Sequence, residues 1–356
     1  MTIESPGRDV VAIQMLRGIA AMMVVFVHID IQLERLHYGE LGTGWLSCGV
    51  DIFFVISGFI MWTSVERKGG MSGGAFLKNR LIRIVPLYWF VTTIVLLVGL
   101  TMPHVMASTK IEIGHVVASY LFLPARHPVT GVFWPLLIPG WSLNYEMLFY
   151  VIFALALVIA PASRALRFWL IAGLLSAIVL VADLTKSRVD VMNFYASPMI
   201  FEFVAGILLG ILWRRGVVRR SPLWLSVVLA GFFLLWPGLG LGTAGTMVGA
   251  TLIVAGAVFL PPLPHNPLSS LGDASYSLYL THAITLRALA FFWGRVAPLV
   301  GWGVFVVTGV AAAILVAFLM YRLFEVPVTA RLKRLSVRPG KAAIAVPVPV
   351  AADHQS

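Results

Sequence analysis

The sequence predicts an all-α, polytopic membrane protein of about ten transmembrane helices with both termini in the cytoplasm. Three observations carry that prediction. Hydrophobic residues make up 60% of the 356 and charged residues only 12%, at a mean hydropathy of +0.94, more apolar surface than a water-soluble domain of this length needs. Apolar segments close to the 20 residues required to cross a bilayer recur along the whole chain. With the N-terminus inside, the inner segments then hold 19 of the 26 Lys and Arg, among them Arg67, Lys78, Arg80, Arg83, Arg164, Arg167, Arg214, Arg215, Arg331 and Arg334, the signature of the positive-inside rule.

The spans fall at 11–32, 43–64, 84–102, 139–160, 167–183, 196–213, 223–237, 241–260, 274–294 and 300–322. Glu4, Arg8 and Asp9 precede the first, without a small-residue cleavage site, so it is expected to be a retained helix rather than a cleaved signal peptide. The segment at 223–237 is short and that at 241–260 rich in Gly and Ala, a pattern for one hairpin packed deep in the bundle. Residues 65–83 are expected as an inner loop ending in the basic run Lys78-Asn-Arg80-Leu-Ile-Arg83, after which Pro86 opens the third span. Residues 103–138 form an outer loop with His104, His115, His127 and Trp134, and a short surface helix is expected at 113–123. The integral domain covers 1–335, and 336–356 reads as a disordered cytoplasmic tail. The net charge of +11 follows from topology and not from nucleic-acid binding. A lone cysteine, Cys48, excludes an intrachain disulfide and a cysteine metal cage, and no metal-ligand set is expected.

Ionisable groups inside spans are costly and face a bundle interior or a water-filled cavity. Arg17 and His28 share the first span; eleven residues apart, they lie within about 20° of one helix face and about 16 Å apart along the axis. A histidine there either packs helices together or, titrating near neutral pH, takes a proton from a hydroxyl. Asp30 is two residues on, off that face and at the outer rim, so an orienting partner for His28 must come from another helix. Asp51, about two turns below the outer end of the second span, and Glu146 in the fourth are the candidates, and Asp51 is expected to pair with His28 or Arg17. Ser57-Gly58 suits close helix packing. Arg80 and Arg83 share one side of a helical turn, as anchors beside headgroups or as forks for phosphate oxygens. Trp141, Ser142 and Glu146 open the fourth span, Glu202 sits alone in the sixth, and Ser275, Tyr279 and His282 occupy adjoining positions in the ninth. For all of these, helix–helix hydrogen bonding is the simplest role.

The ordered set of motifs resembles the membrane acyltransferase family 3 from about residue 10 to 330: Arg17 with His28, Gly49 to Phe59, Phe76 to Tyr88, Trp141-Ser142 to Tyr150, Ser275 to His282, and Tyr321 to Pro327. Within it, the chain most resembles exopolysaccharide and nodulation-factor O-acetyltransferases. The resemblance implies a multi-pass enzyme of the bacterial inner membrane that moves an acyl group, usually acetyl, from cytoplasmic acyl-CoA to a hydroxyl of a cell-surface or exported glycan. It implies catalysis by His28 and donor handling by Arg17 and the Arg80/Arg83 pair. On this reading Asp51 or Glu146 orients or charge-stabilises the imidazole, while Ser57, Trp141, Ser142, Tyr279 and His282 serve substrate or oxyanion. No permanently bound cofactor is expected; acyl-CoA is the donor substrate, and lipid and glycan are the other partners. The rival is a transporter or flippase of a polysaccharide pathway, for which polar groups at mid-membrane are equally natural. It favours inverted repeats, which the sequence does not display.

Overall fold

The computed structural model describes residues 11–67, 70–102, 110–185, 189–295 and 300–336, and every regular element among them is helical. The expected tail beyond residue 336, and His104, lie outside the described residues. In chain order the helices are α1 (Val11–Arg35), α2 (Gly49–Arg67), α3 (Gly73–Thr101), α4 (Ile113–Tyr120), α5 (Trp141–Ile159), α6 (Arg164–Thr185), α7 (Asp190–Tyr195), α8 (Ile200–Arg215), α9 (Trp224–Leu234), α10 (Gly242–Phe259), α11 (Pro267–Asp273), α12 (Ser275–Trp293), α13 (Trp302–Met320) and α14 (Val326–Ser336). Eight helical segments among the described residues are long and apolar enough to cross a membrane. Each of the ten expected spans has a helix, but two fall outside that eight. The α9 helix is too short at 11 residues, and α12 carries Ser275, Ser277, Thr281, His282, Thr285 and Arg287.

Three local readings are corrected. The basic run at 78–83 is not loop: α3 starts at Gly73, with the Ser72 side chain accepting from Ala75 N, and runs unbroken for 29 residues. Pro86 therefore lies inside the helix and not in its first turn. Its missing N–H and its ring disturb the preceding turn, where the Tyr276 hydroxyl of α12 donates to Ile84 O at 2.7 Å. Asp51 lies in the first turn of α2, because residues 44–48 form a separate 3-10 turn. The third concerns the hairpin. Helices α9 and α10 do pack on one another through glycines, since a Cβ at Gly249 would come within 2.8 Å of Gly231 O. Only α10 is buried, however; α9 leaves Leu229 and Phe233 more than 60% exposed.

Glycines set the closest helix approaches, as small residues do where lipid gives no hydrophobic drive to association. Helices α2 and α8 interlock reciprocally: a Cβ at Gly58 would lie 2.1 Å from Phe203 O, and one at Gly206 2.0 Å from Val55 O. Gly272 of α11 lets that short helix lie against α1, its missing Cβ at 1.7 Å from Gln14 O. Asn266 caps α11, accepting from Ser269 N at 3.0 Å. At the end of α2 bearing the basic segments, Glu66 bonds Arg164 and, at 2.8 Å, Arg167, fixing α2 to α6. The α13–α14 junction is a π-helical turn, Tyr321–Glu325. That wider turn accommodates Pro327, whose ring would meet the carbonyl four residues back.

Candidate active site

Two chambers adjoin inside the bundle. The smaller, about 100 Å³, is lined by the first half of α1, α2, α3, α5 and the start of α12, and holds Arg17, Arg80, Arg83, Ser57, Glu146 and Tyr276. The larger, about 580 Å³, is lined by the C-terminal half of α1, the 127–141 segment and α12, and holds His28, Trp134, Trp141, Arg35 and Arg287. Val50 and Tyr279 line both. The two chambers together bring every expected site residue to one region except Asp51 and, by its burial, His282.

The small chamber is cationic. Arg17, on a buried turn of α1, donates from its Nη1 to Gln14 Oε1 at 3.1 Å. The guanidinium of Arg80 lies 5.4 and 5.9 Å from the ring centres of Phe76 and Tyr150, and donates to Ser64 Oγ at 3.0 Å. This aromatic clamp fixes the plane of the fork. Three guanidinium groups face one wall carboxylate, Glu146, whose Oε1 accepts from Tyr150 at 2.6 Å and Ser57 at 3.3 Å. Glu325, on the π turn, accepts from Ser277 at 2.6 Å nearby. The excess of positive charge in this enclosed space is a ready anion site.

At the start of the large chamber His28 meets His282. The rings stand at 85° with centroids 4.5 Å apart, and His282 Nε2 lies 3.2 Å from His28 Nδ1. Each Nδ1 is also 3.0 Å from the carbonyl four residues back, Val24 for His28 and Leu278 for His282. Carbonyls only accept, so each Nδ1 carries a hydrogen. With both rings neutral, His282 Nε2 is then the acceptor for His28 Nδ1–H, and His28 Nε2 is left with the unshared lone pair. His282 is completely buried and packed on Tyr279, ring centres 6.0 Å apart. The pair thus does what the sequence asked of a carboxylate: it holds the tautomer of His28.

The carboxylates lie elsewhere. Among the described residues no hydrogen bond or ion pair joins Asp51 to His28 or Arg17; its carboxylate neighbour is Glu202 of α8, both of whose carboxyl oxygens are buried without a hydrogen-bond partner among the described residues, beside the Gly58–Gly206 crossing. Glu146 belongs to the small chamber. Asp30 closes the α1–α2 connection, accepting from Leu41 N at 2.6 Å and Thr43 N at 2.9 Å.

The Ser142 and Tyr279 hydroxyls are 2.7 Å apart at the junction, and Tyr279 donates to Pro139 O at 2.9 Å. The loop between α3 and α5 delivers Trp134 by way of its histidines. His115 donates from Nε2 to Trp134 O at 2.8 Å, and His127 Nδ1 accepts from Val129 N at 3.3 Å. Burial, and then the neighbouring His115, lower the His127 pKa below its ordinary value, which suits the acceptor role. The expected surface helix is α4, Ile113–Tyr120.

An all-helical bundle with long apolar helices, a cationic chamber and an adjoining aromatic one defines the class as a multi-pass membrane protein. The chain belongs to the family of the acyltransferase domain, acyltransferase family 3, whose model matches residues 10–322. It is 38% identical over 261 residues to the exopolysaccharide production protein ExoZ of Rhizobium meliloti, covering 68% of this chain and 78% of that protein. It is 26% identical over 359 residues to nodulation protein 10 of Rhizobium leguminosarum bv. viciae, covering 88% and 91%. It is 27% identical over 305 residues to the putative membrane-bound transacylase BcsY of Komagataeibacter xylinus, covering 78% and 74%. No solved structure matches the chain.

Proposed function

We propose that the protein is an O-acyltransferase of a bacterial inner membrane that moves an acyl group, most simply acetyl, from cytoplasmic acyl-CoA to a hydroxyl of an exported glycan. The observation that carries this reading is the junction itself: a three-arginine chamber meets an aromatic chamber beside a histidine of fixed tautomer. Arg17, Arg80 and Arg83 would hold the donor's phosphates on the cytoplasmic side, a placement that the positive-inside pattern of the basic segments supports. The flexible thiol arm of CoA then carries the thioester toward Tyr279 and His28.

The acceptor enters the large chamber, where Trp134 and Trp141 offer faces for sugar rings. His28 Nε2 takes the proton of the acceptor hydroxyl as its oxygen attacks the thioester carbon. Ser142 or Tyr279 donates to the oxygen that gains charge, exchanging the bond to Pro139 for one to the substrate. The tetrahedral centre collapses, the C–S bond breaks, and the CoA sulfur leaves with the proton from His28. The glycan acceptor is supported by the aromatic lining and by the 38% identity to a protein of exopolysaccharide production.

The test is CoA release by purified protein in lipid nanodiscs, with acyl-CoA and glycan acceptor supplied together. Acyl transfer that depends on both is expected, and transport of glycan without thioester consumption would favour the flippase reading. In the same assay Arg80→Ala is expected to raise the KM for acyl-CoA about tenfold or more, the loss of a hydrogen bond to a charged group, with kcat changed far less. An unaltered KM would remove the phosphate role.

A further inference from the structure

Among the described residues two line both chambers, Val50 and Tyr279, so these side chains form the partition between them. The partition has little play. Gly49, just before Val50, sits against α1, where a Cβ would come within 2.5 Å of Ala20 O, so the backbone of α2 is pressed on α1 at this level. Val50 is only 5% exposed, and a β-branched side chain in a helix keeps essentially one χ1 rotamer. Phe53, three residues on and on the same side of α2, meets the Tyr279 ring edge to face, with centroids 5.9 Å apart. On its other side Tyr279 packs on His282, the ring that holds His28. Its hydroxyl is tied to Pro139 O at 2.9 Å and to Ser142 Oγ at 2.7 Å. Valine, phenylalanine and tyrosine are thus each held where they stand, beside the histidine pair.

We propose that Val50, backed by Phe53 and Tyr279, sets the size of the acyl group that the enzyme transfers, admitting acetyl and excluding longer chains. The proposal rests on the reading of the small chamber as the donor site and the large one as the acceptor site. The thioester carbon carries an oxygen, the CoA sulfur and the acyl chain. With that carbon at His28 and the sulfur toward the arginines, the acyl chain lies against the partition. A methyl group is the smallest chain the wall can meet. Each further methylene must displace the valine, a ring or a helix, and a close-packed interior resists added volume. Val50 exchanges no proton and binds no phosphate; it determines specificity through shape alone.

The experiment measures acceptor-dependent CoA release by the full-length protein in nanodiscs, with acetyl-, propionyl- and butyryl-CoA as donors. The acceptor is the glycan purified from cells lacking the protein. The unmodified protein is expected to show a kcat/KM for acetyl-CoA at least about tenfold above that for butyryl-CoA. Val50→Ala is expected to raise the butyryl-to-acetyl ratio about tenfold or more, the discrimination that a methylene or two in an apolar pocket supplies. Val50→Ile adds bulk at the same place and is expected to lower the propionyl-to-acetyl ratio. Each ratio is read on one preparation, so a loss of folded protein cancels, and where Val50→Ala does not fold the isoleucine variant decides. Val95→Ala is the control: Val95 is 4% exposed and lines the large chamber but not the small one, and its ratios are expected to match those of the unmodified protein. Equal kcat/KM for the three donors in the unmodified protein, ratios unmoved by both Val50 variants, or an equal rise in Val95→Ala overturns the proposal. Absence of CoA release with all three donors is a distinct result and overturns the active-site reading itself.

Discussion

Alanine at His28 is expected to lower acyl transfer by about 10²–10⁴-fold, the contribution of a positioned general base, while acyl-CoA still binds. The measurement is acylated glycan formed per minute by membranes with matched amounts of protein. Full activity in His28→Ala would sink the mechanism. The neighbouring ring gives the sharper version of the test. His282 touches no substrate in this account; it accepts the His28 Nδ1 hydrogen and so keeps Nε2 basic. His282→Leu leaves that hydrogen with the Val24 carbonyl alone and is expected to reduce kcat about tenfold or more, as loss of an orienting acceptor does. His282→Gln sets a carbonyl oxygen where Nε2 was and is expected to restore part of kcat, with the KM for acyl-CoA the same in both. A purely structural role for His282 would give no such rescue.

The largest effect on the folded state is expected at the α2–α8 crossing. A side chain at Gly206 would meet Val55 O at 2.0 Å, and one at Gly58 would meet Phe203 O at 2.1 Å. Backbone lies on both sides, so no side chain can swing away and the helices must separate. Separation also moves Ser57 off the wall of the small chamber. Gly206→Val is therefore expected to cost more than about 3 kcal/mol, seen as loss of folded protein after detergent extraction and a fall in its thermal midpoint. Gly74 provides the control, since nothing lies within 4 Å of a Cβ there. Gly74→Ala is expected to leave the midpoint unchanged or raise it slightly, through the better helix propensity of alanine. A Gly206→Val protein with an undiminished midpoint would refute the packing argument.

The helices and their chemistry were legible in the sequence to different degrees. Apolar length located each expected helix, because a bilayer imposes a minimum that composition reveals directly. Boundaries failed where a helix continues into polar residues: α3 runs back through Lys78–Arg83 to Gly73, invisible to a hydropathy window. The short α11 was missed because seven residues carry no periodicity, although Asn266 followed by Pro267 and Ser269 is a start signal that could have found it. At the site, the helical spacing of Arg17 and His28 marked the direction from one chamber to the other. The partner of His28 could not be read, because it lies 254 positions away on α12. Carboxylates are the usual orienters of imidazole, so Asp51 and Glu146 drew the expectation. Asp51 instead faces Glu202 across the α2–α8 approach, a neighbour that only the packing of those two helices brings near.

The central claim is that one substrate reaches His28 through the three-arginine chamber and the other through the aromatic one. Sealed proteoliposomes of known orientation test it directly, with labelled acyl-CoA on one face and an impermeant glycan acceptor on the other. Acylated glycan is expected when the donor is on the face bearing Arg17, Arg80 and Arg83 and the acceptor on the opposite face, with the reversed arrangement giving background. Equal product from the two arrangements, or product only when both substrates share one face, would contradict the account.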